Sequence, residues 1–138
     1  MGSGKYRCIM PEGSLSSLHT SFRRLNPIDP VVAMLDANNV RDLIIGFEVL
    51  PFAPTSQRLE VANKMLDEFR FVLPIIVYNG ERVEIIDGRH RSLAIWHRMA
   101  SGVPFLTARS MVDSIKRKLG SSDAFDEFDF TEVQYPVL

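Results

Sequence analysis

The feature that most constrains this chain is an apolar run followed at once by Asn79-Gly80. The run, Phe71–Tyr78, is almost continuously apolar, as in a buried β-strand. Asn79-Gly80 favours a type I′ hairpin turn, because both residues accept the positive φ that this turn requires. Polar and apolar residues then alternate through Arg82–Ile86, which gives a strand one wet face and one dry face. The pattern predicts two adjacent antiparallel strands joined by a tight turn.

A loop and a further helix follow this hairpin. Gly88 breaks the second strand, and a helix is predicted from about His90 to Met99. Leu93 and Trp96 are predicted to lie on its buried side. Val103–Ala108 is predicted to be the next strand. The region therefore forms a strand–hairpin–strand–loop–helix–strand unit.

The remaining elements are predicted from shorter signals. Asp29-Pro30 predicts a helix start, because aspartate caps a helix and proline fits its first position; this helix would end near Ala37. Asp42–Leu50 is predicted to be a strand, and a last helix is predicted from Ser110 to about Leu119. Between them, apolar residues at three- and four-residue spacing predict a helix that lies on a core. These residues are Leu59, Ala62, Met65, Leu66 and Phe69.

The order of these elements predicts an α+β fold with a small mixed sheet and packed helices. A length of 138 residues allows one compact domain and is short for two. We divide the chain into an N-terminal extension, the domain itself and an acidic tail, which are residues 1–40, 41–120 and 121–138. The extension would hold the short helix and a strand at Lys5–Met10.

Charge is distributed unevenly along the chain. The sequence has 17 acidic and 16 basic residues, and five of the acids but none of the bases lie in residues 121–138. Residues 1–120 therefore hold 12 acids and 16 bases, a formal charge of +4. A moderately basic body suits phosphorylated ligands or nucleic acid, and an ordinary solvated surface explains the same excess. Both interpretations stay open at this point.

Two features that the sequence lacks bear on the cellular location of the protein. No apolar run approaches the roughly 20 residues that span a bilayer, so no membrane partner is expected. Cys8 is the single cysteine, which excludes an internal disulfide and a zinc site built from several cysteines. These features predict a cytoplasmic protein.

The loop Asp87–Arg91 has the composition of a phosphate site. The first N–H groups of a helix lack intrahelical partners, and the positive end of the helix dipole lies there. Gly88 allows close approach of the backbone, while Arg89 and Arg91 carry planar charged groups that match phosphate oxygens. His90 adds a donor whose charge changes near neutral pH. Three such residues directly after a strand are poor core material.

Asp87 has two interpretations. It caps the helix or pairs with Arg91, which would make its role structural. Alternatively it holds a metal ion beside the phosphate, because an acid next to a phosphate is otherwise repulsive.

The order and spacing of several short motifs resemble a known superfamily. Gln57-Arg58, a helix, Leu73–Val77, the hairpin and then Glu84–Arg91 resemble the ParB/sulfiredoxin-like domain, over about Glu48 to Ala108. The chain departs from ParB, which has a proline between the glutamine and arginine and a glutamate in its loop. It departs from sulfiredoxins, which have a cysteine where this chain has Arg89. The size and plan are similar to stand-alone ParB-like nucleases and plasmid fertility-inhibition factors.

This resemblance implies a nucleotide-binding protein, an ATPase and/or DNase that acts on or regulates DNA transfer. Glu48 and Asp87 would be the catalytic carboxylates, and Asp87 would also bind Mg²⁺ carried with ATP or another nucleotide. The residues around the nucleotide phosphates would be Gly88, Arg89, His90, Arg91, Gln57 and Arg58.

Two other interpretations compete with a nucleotide-binding enzyme. The chain could be a non-catalytic interaction or inhibitor module that uses its acidic tail on a basic protein partner. It could also be a plain DNA-binding module that works through its last, basic helix, although its net charge of −1 argues against this.

Overall fold

The computed structural model describes residues 4–11, 29–46 and 54–138. Within these ranges the chain forms a mixed α/β fold with four helices and two small sheets, where a single mixed sheet was predicted. The elements in chain order are β1 (Tyr6–Ile9), β2 (Pro30–Asp36), α1 (Ala37–Ile45), α2 (Ser56–Asp67), β3 (Arg70–Val72), β4 (Ile75–Tyr78), β5 (Val83–Asp87), α3 (Arg89–His97), β6 (Gly102–Ala108), α4 (Val112–Leu119) and β7 (Phe128–Asp129). No helix in the described ranges is both long enough and apolar enough to cross a bilayer.

The larger sheet has four strands in the order β2-β6-β4-β5. β6 pairs antiparallel with β2 and parallel with β4, and β5 pairs antiparallel with β4. Every residue of β6 is buried, so helices and chain segments cover both of its faces. Helices α1 and α3 contact β6, while α4 contacts β2 and β4. The predicted strand Val103–Ala108 is confirmed by β6.

The predicted helix from Asp29-Pro30 to Ala37 is wrong, because Pro30–Asp36 is strand β2. All its residues pair with β6, and Val31–Leu35 are fully buried. Such a run fills a buried strand better than an amphipathic helix, so burial overrides the local capping signal. The helix, α1, begins only after this strand, at Ala37. Asp36 caps it, because its carboxylate accepts a hydrogen bond of 3.0 Å from the N–H of Asn39.

The strand predicted over Asp42–Leu50 is also wrong in its first part. Residues 42–45 belong to α1, whose Val40 and Ile44 are buried at helical spacing. Residues 47–50 lie outside the described residues. The β-branched and aromatic composition of this segment favoured a strand, but the cap at Asp36 starts a helix that continues through Ile45.

The smaller sheet joins distant parts of the chain. β1, within the predicted strand Lys5–Met10, is its central strand and pairs in parallel with β3 and with β7. The aromatic ring of Phe128 in β7 is buried. Further on, Leu138 N–H donates to Val32 O at 2.7 Å, and Val32 N–H donates to Pro136 O at 2.8 Å. The acidic segment 121–138 is therefore folded against both sheets.

The apolar run Phe71–Tyr78 is divided between the two sheets. Leu73 N–H donates to Ile9 O in the smaller sheet, and Pro74 O accepts from Leu106 N–H in the larger one. Pro74 has no N–H for a strand ladder, so the strand breaks there. β3 and β4 therefore replace the single strand that was predicted.

The predicted hairpin is confirmed as a pair of antiparallel strands, but its turn differs. β4 ends at Tyr78 and pairs there with Val83, which leaves a four-residue connection. Gly80 has a φ of 97°, whereas Asn79 is outside the positive-φ region. The Asn79 side chain instead accepts the N–H groups of Glu81 and Arg82, both at 2.9 Å. The type I′ prediction is wrong, because this asparagine stabilises the turn through its side chain.

Helices α2 and α3 run side by side in the same direction. At their N-terminal ends, Thr55 N–H donates to His90 Nε2 at 3.2 Å. At their C-terminal ends, Arg98 donates to Asn63 at 3.2 Å and to Asp67 at 2.6 Å. The N-termini of both helices therefore lie on the same side of the molecule.

The buried residues of α3 are Ser92, Ala94 and Ile95. Leu93 and Trp96, which were predicted to face inward, are half-buried against the core. At the other end of the domain, α4 begins at Val112 after a turn of 3₁₀ helix, two residues later than the predicted start at Ser110.

Candidate functional site

A cleft of about 360 Å³ lies between α2 and the loop that starts α3. Its volume is in the range of small-molecule sites in proteins. Its lining includes both basic and aliphatic side chains, which we call the basic half and the aliphatic half. The basic half consists of Arg58, Gly88, Arg89, His90 and Arg91, with Asp87 beside them; the aliphatic half consists of Val61, Ala62, Met65, Val72 and Ile86.

Gly88 sets the shape of the loop. It precedes α3 with φ 96° and ψ 24°, a left-handed conformation that favours glycine. A Cβ at this position would lie 2.3 Å from Pro74 Cβ and 2.9 Å from Pro74 Cα. The Gly88 carbonyl accepts hydrogen bonds from Ser92 N–H at 2.9 Å and from Ser92 Oγ at 2.8 Å. No side chain caps the first turn of α3 at Gly88, and Gly88, Arg89 and His90 all line the cleft.

Arg91 is held by the protein itself. Its Nε donates to Val72 O at 2.9 Å, and its Nη2 donates to Asp87 Oδ2 at 3.1 Å and to Leu73 O at 3.5 Å. Val72 and Leu73 lie where the chain crosses from one sheet to the other. Arg91 therefore fixes this crossing, while it also lines the cleft.

His90 is a neutral acceptor in this arrangement. Its Nε2 accepts the N–H of Thr55, so the proton of the neutral ring is on Nδ1. Partial burial lowers the pKa of His90, and the charges of Arg58 and Arg89 lower it further. Arg58, Arg89 and His90 all line the same cleft.

Arg58 reaches this place from α2. Thr55 caps that helix, because its Oγ1 accepts the N–H of Arg58 at 3.4 Å. Arg58 and Arg89 are both exposed side chains. The predicted residues Arg58, Asp87, Gly88, Arg89, His90 and Arg91 thus come together in one cleft, whereas Gln57 is exposed in the same turn and does not line it.

The predicted carboxylates have different outcomes. Asp87 lines the cleft, and its ion pair with Arg91 agrees with the structural interpretation of this residue. Glu48 lies outside the described residues. Within the residues that the structure covers, no group of three His, Cys, Asp or Glu side chains is placed to surround a metal ion. Mg²⁺ is commonly held by one or two carboxylates with phosphate oxygens and water, and the role of Asp87 as a metal ligand stays a prediction.

Sequence reasoning missed the aliphatic half of this site and the residue that caps α2. Thr55 was not singled out, although a threonine before a helical stripe is a capping signal. Val61 is apolar but lies off the predicted stripe of α2, and Ile86 is apolar at an outward position of β5. Both are exposed in the cleft, Val61 at 58% and Ile86 at 43%. An apolar residue at a position that the pattern assigns to solvent was the available signal.

Comparisons of the chain with models of known families, with curated proteins and with solved structures each found no match. The likeness to the ParB/sulfiredoxin-like domain therefore rests on the motifs of the sequence itself.

Proposed function

We propose that the cleft between α2 and the start of α3 binds the phosphate groups of a nucleotide. The observation that supports this most directly is the meeting of Arg58, Arg89 and His90 beside the first turn of α3. Arginines bind phosphate oxygens through paired donors, and the N-terminus of a helix favours an anion. The resemblance of Asp87–Arg91 to a nucleotide-binding loop agrees with this assignment.

Hydrolysis of the bound nucleotide or of DNA is a further part of this proposal. Phosphoryl transfer needs a group that orients water or holds a metal. Asp87 is in the cleft but pairs with Arg91, so the larger share of that role would fall to Glu48. Loss of hydrolysis in a Glu48→Gln variant that still binds nucleotide would support this assignment.

An interaction module that uses the acidic segment is less well supported. The carboxylate of Glu127 accepts the N–H of Ser101, and Glu132 pairs with Arg7 at 2.8 Å. Asp129 accepts hydrogen bonds from Thr131. These acids are therefore engaged within the domain, and Asp123 and Asp126 are exposed acids outside these contacts that a basic partner would meet.

The test is calorimetric titration of the protein with ATP, CTP, GTP and ADP in the presence of Mg²⁺. Arg89→Gln should weaken the binding of any nucleotide that binds by about 10- to 100-fold, the usual worth of a hydrogen bond to a charged group. The matched control is Arg117→Gln in α4, an exposed arginine outside the cleft. Equal losses in the two variants would indicate non-specific charge attraction, and no binding of any nucleotide to the wild type would refute the proposal.

A further inference from the structure

The cleft continues past its basic half onto exposed aliphatic surface. Val61 of α2 and Ile86 of β5 are among the most exposed large apolar residues in the described part of the chain, at 58% and 43%. Both line the cleft together with Met65 and Val72. Exposed apolar surface with a polar rim is typical of a binding site rather than of a plain solvent-facing surface.

Neither residue is required by the core. Val61 lies off the buried side of α2, where Ala62 and Leu66 are buried. Ile86 follows the buried Ile85 in β5, so its side chain is on the opposite, exposed face. The core therefore does not account for the exposed part of either side chain, and both exposed parts lie in the cleft, where a ligand can contact them.

The two halves of the cleft are adjacent on both of its walls. On α2, Arg58 and Val61 are three residues apart, a rise of about 5 Å along the helix. On the opposite wall, Ile86 precedes Arg89 by three residues. A ligand that contacts both halves must therefore carry a phosphate group and an apolar group within a short distance of each other. In a nucleotide, the sugar separates the base from the first phosphate by such a distance.

Resting on the proposed function, we infer that the aliphatic half receives the base of the nucleotide and accepts all bases about equally. The side chains of this half have no hydrogen-bond donor and no oxygen or nitrogen acceptor. Strong discrimination between ligands arises when a site is built to hydrogen-bond one of them, whereas apolar contact discriminates weakly. The base thus contributes affinity through contact area, and its identity has little effect.

The first measurement compares ATP, GTP, CTP and UTP with inorganic tripolyphosphate by calorimetric titration of the wild-type protein. We expect the four nucleotides to bind within about threefold of one another, and each about tenfold or more tightly than tripolyphosphate, because contact with the base buries several tens of Å² of apolar surface. Equal affinities of nucleotides and tripolyphosphate would overturn the inference and leave phosphate binding intact. A tenfold preference for one base would overturn the claim of indifference. Failure of all five ligands to bind would refute both the inference and the proposed function.

The second measurement uses variants of the aliphatic half. Val61→Gln and Ile86→Gln should each weaken nucleotide binding about five- to tenfold and leave tripolyphosphate binding within about twofold, since only the base loses contact area. Met99→Gln is the matched control, because Met99 is 88% exposed and follows the other end of α3. Circular dichroism should show that all three variants are folded. An equal loss of nucleotide and tripolyphosphate affinity in Val61→Gln, or unchanged nucleotide affinity in both cleft variants, would contradict the inference.

Discussion

Two basic runs of similar composition lie at opposite kinds of helix end. Arg89-His90-Arg91 forms the first turn of α3, and Lys116-Arg117-Lys118 forms the last turn of α4. A helix carries partial positive charge at its N-terminus and partial negative charge at its C-terminus. The α4 run is therefore stabilised by its own helix, whereas the α3 run is opposed by its helix.

This difference separates basic residues with a structural explanation from those that indicate a ligand. In α4, the helix end favours the charges, and Lys118 Nζ also lies 5.8 Å from the centroid of the Tyr78 ring. In α3, the cationic groups meet a further cation, Arg58; the pKa of His90 is lowered first by partial burial and then by the charges of Arg58 and Arg89. An anionic ligand would reduce the repulsion in the cleft. A run of basic residues is thus informative about function only when its place on the helix is known.

The largest effect on stability is expected from a substitution of Gly88, the residue that precedes the α3 run. Gly88→Ala adds a Cβ that clashes with the backbone of Pro74 and strains a positive φ, so the free energy of unfolding should fall by about 2–5 kcal/mol. Gly80→Ala is the control, because Gly80 has a similar φ of 97° and no atom within 4 Å of the added Cβ. It should lose only about 1–2 kcal/mol. Urea denaturation measures both, and equal losses would show that Gly88 has no special packing role.

The second effect concerns the stability that Arg91 of the α3 run gives to the fold. Arg91→Ala leaves the carbonyls of Val72 and Leu73 and the carboxylate of Asp87 without this donor, so unfolding should become easier by about 1.5–3 kcal/mol. Arg91→Lys can restore the ion pair but not all these bonds, and should recover part of the loss. Denaturation without ligand is the measurement. Wild-type stability of Arg91→Ala would mean that this arginine acts on a ligand alone.

Reversal of charge should distinguish the two helix ends directly. Arg117→Glu places a negative charge at the C-terminus of α4 and should lower the free energy of unfolding by about 0.5–1 kcal/mol. Arg89→Glu places one at the N-terminus of α3 and should cost less than Arg117→Glu, although it should abolish nucleotide binding. Thermal unfolding at low salt compares the pair. A larger cost for Arg89→Glu would contradict the contrast drawn from the helix dipoles.

The smallest effect concerns pH. Since the pKa of His90 is lowered in the folded state, the unfolded chain binds this proton more tightly, and the stability from His90 is present above its unfolded pKa of about 6.5. That stability should be lost as the pH falls from about 6.5 through the lowered pKa of the folded state. His90→Gln, which keeps an acceptor for the N–H of Thr55, should remove this part of the pH dependence. Identical pH profiles of the two proteins between pH 5 and 7 would show that His90 does not contribute.

The parts of the structure that the sequence predicted correctly depend on local signals. The alternation in Arg82–Ile86 and the glycine of the Asp87–Arg91 loop specify their conformation within a few residues, and β5, Gly88 and α3 follow. The same locality explains why the basic half of the cleft could be predicted, since most of it is one continuous segment.

The parts that were wrong or missed depend on contacts between distant residues. Pro30–Asp36 has a good helix-start signal, and pairing with β6 makes it a strand. The bonds of Arg91 to Val72 and Leu73 join residues that are 19 and 18 positions apart, respectively, which no local pattern encodes. The packing of residues 121–138 on β1 and β2 likewise depends on strand pairing, backbone hydrogen bonds and burial of Phe128, all between residues far apart in the chain.

The pairing of residues 120–138 with the first strands has a consequence for synthesis on the ribosome. β1 and β2 are synthesised early, but β7 and the backbone groups that bond the outer edge of β2, from Gly120, Ser122, Pro136 and Leu138, are synthesised after nearly all the other described strands and helices. A nascent chain that has reached residue 115 therefore has open edges on both sheets, and open edges are sites of intermolecular pairing. Contacts between such distant positions also form slowly. Both sheets can therefore be complete only after residues 120–138 have left the ribosome, and the edges of β1 and β2 stay open to intermolecular pairing until then.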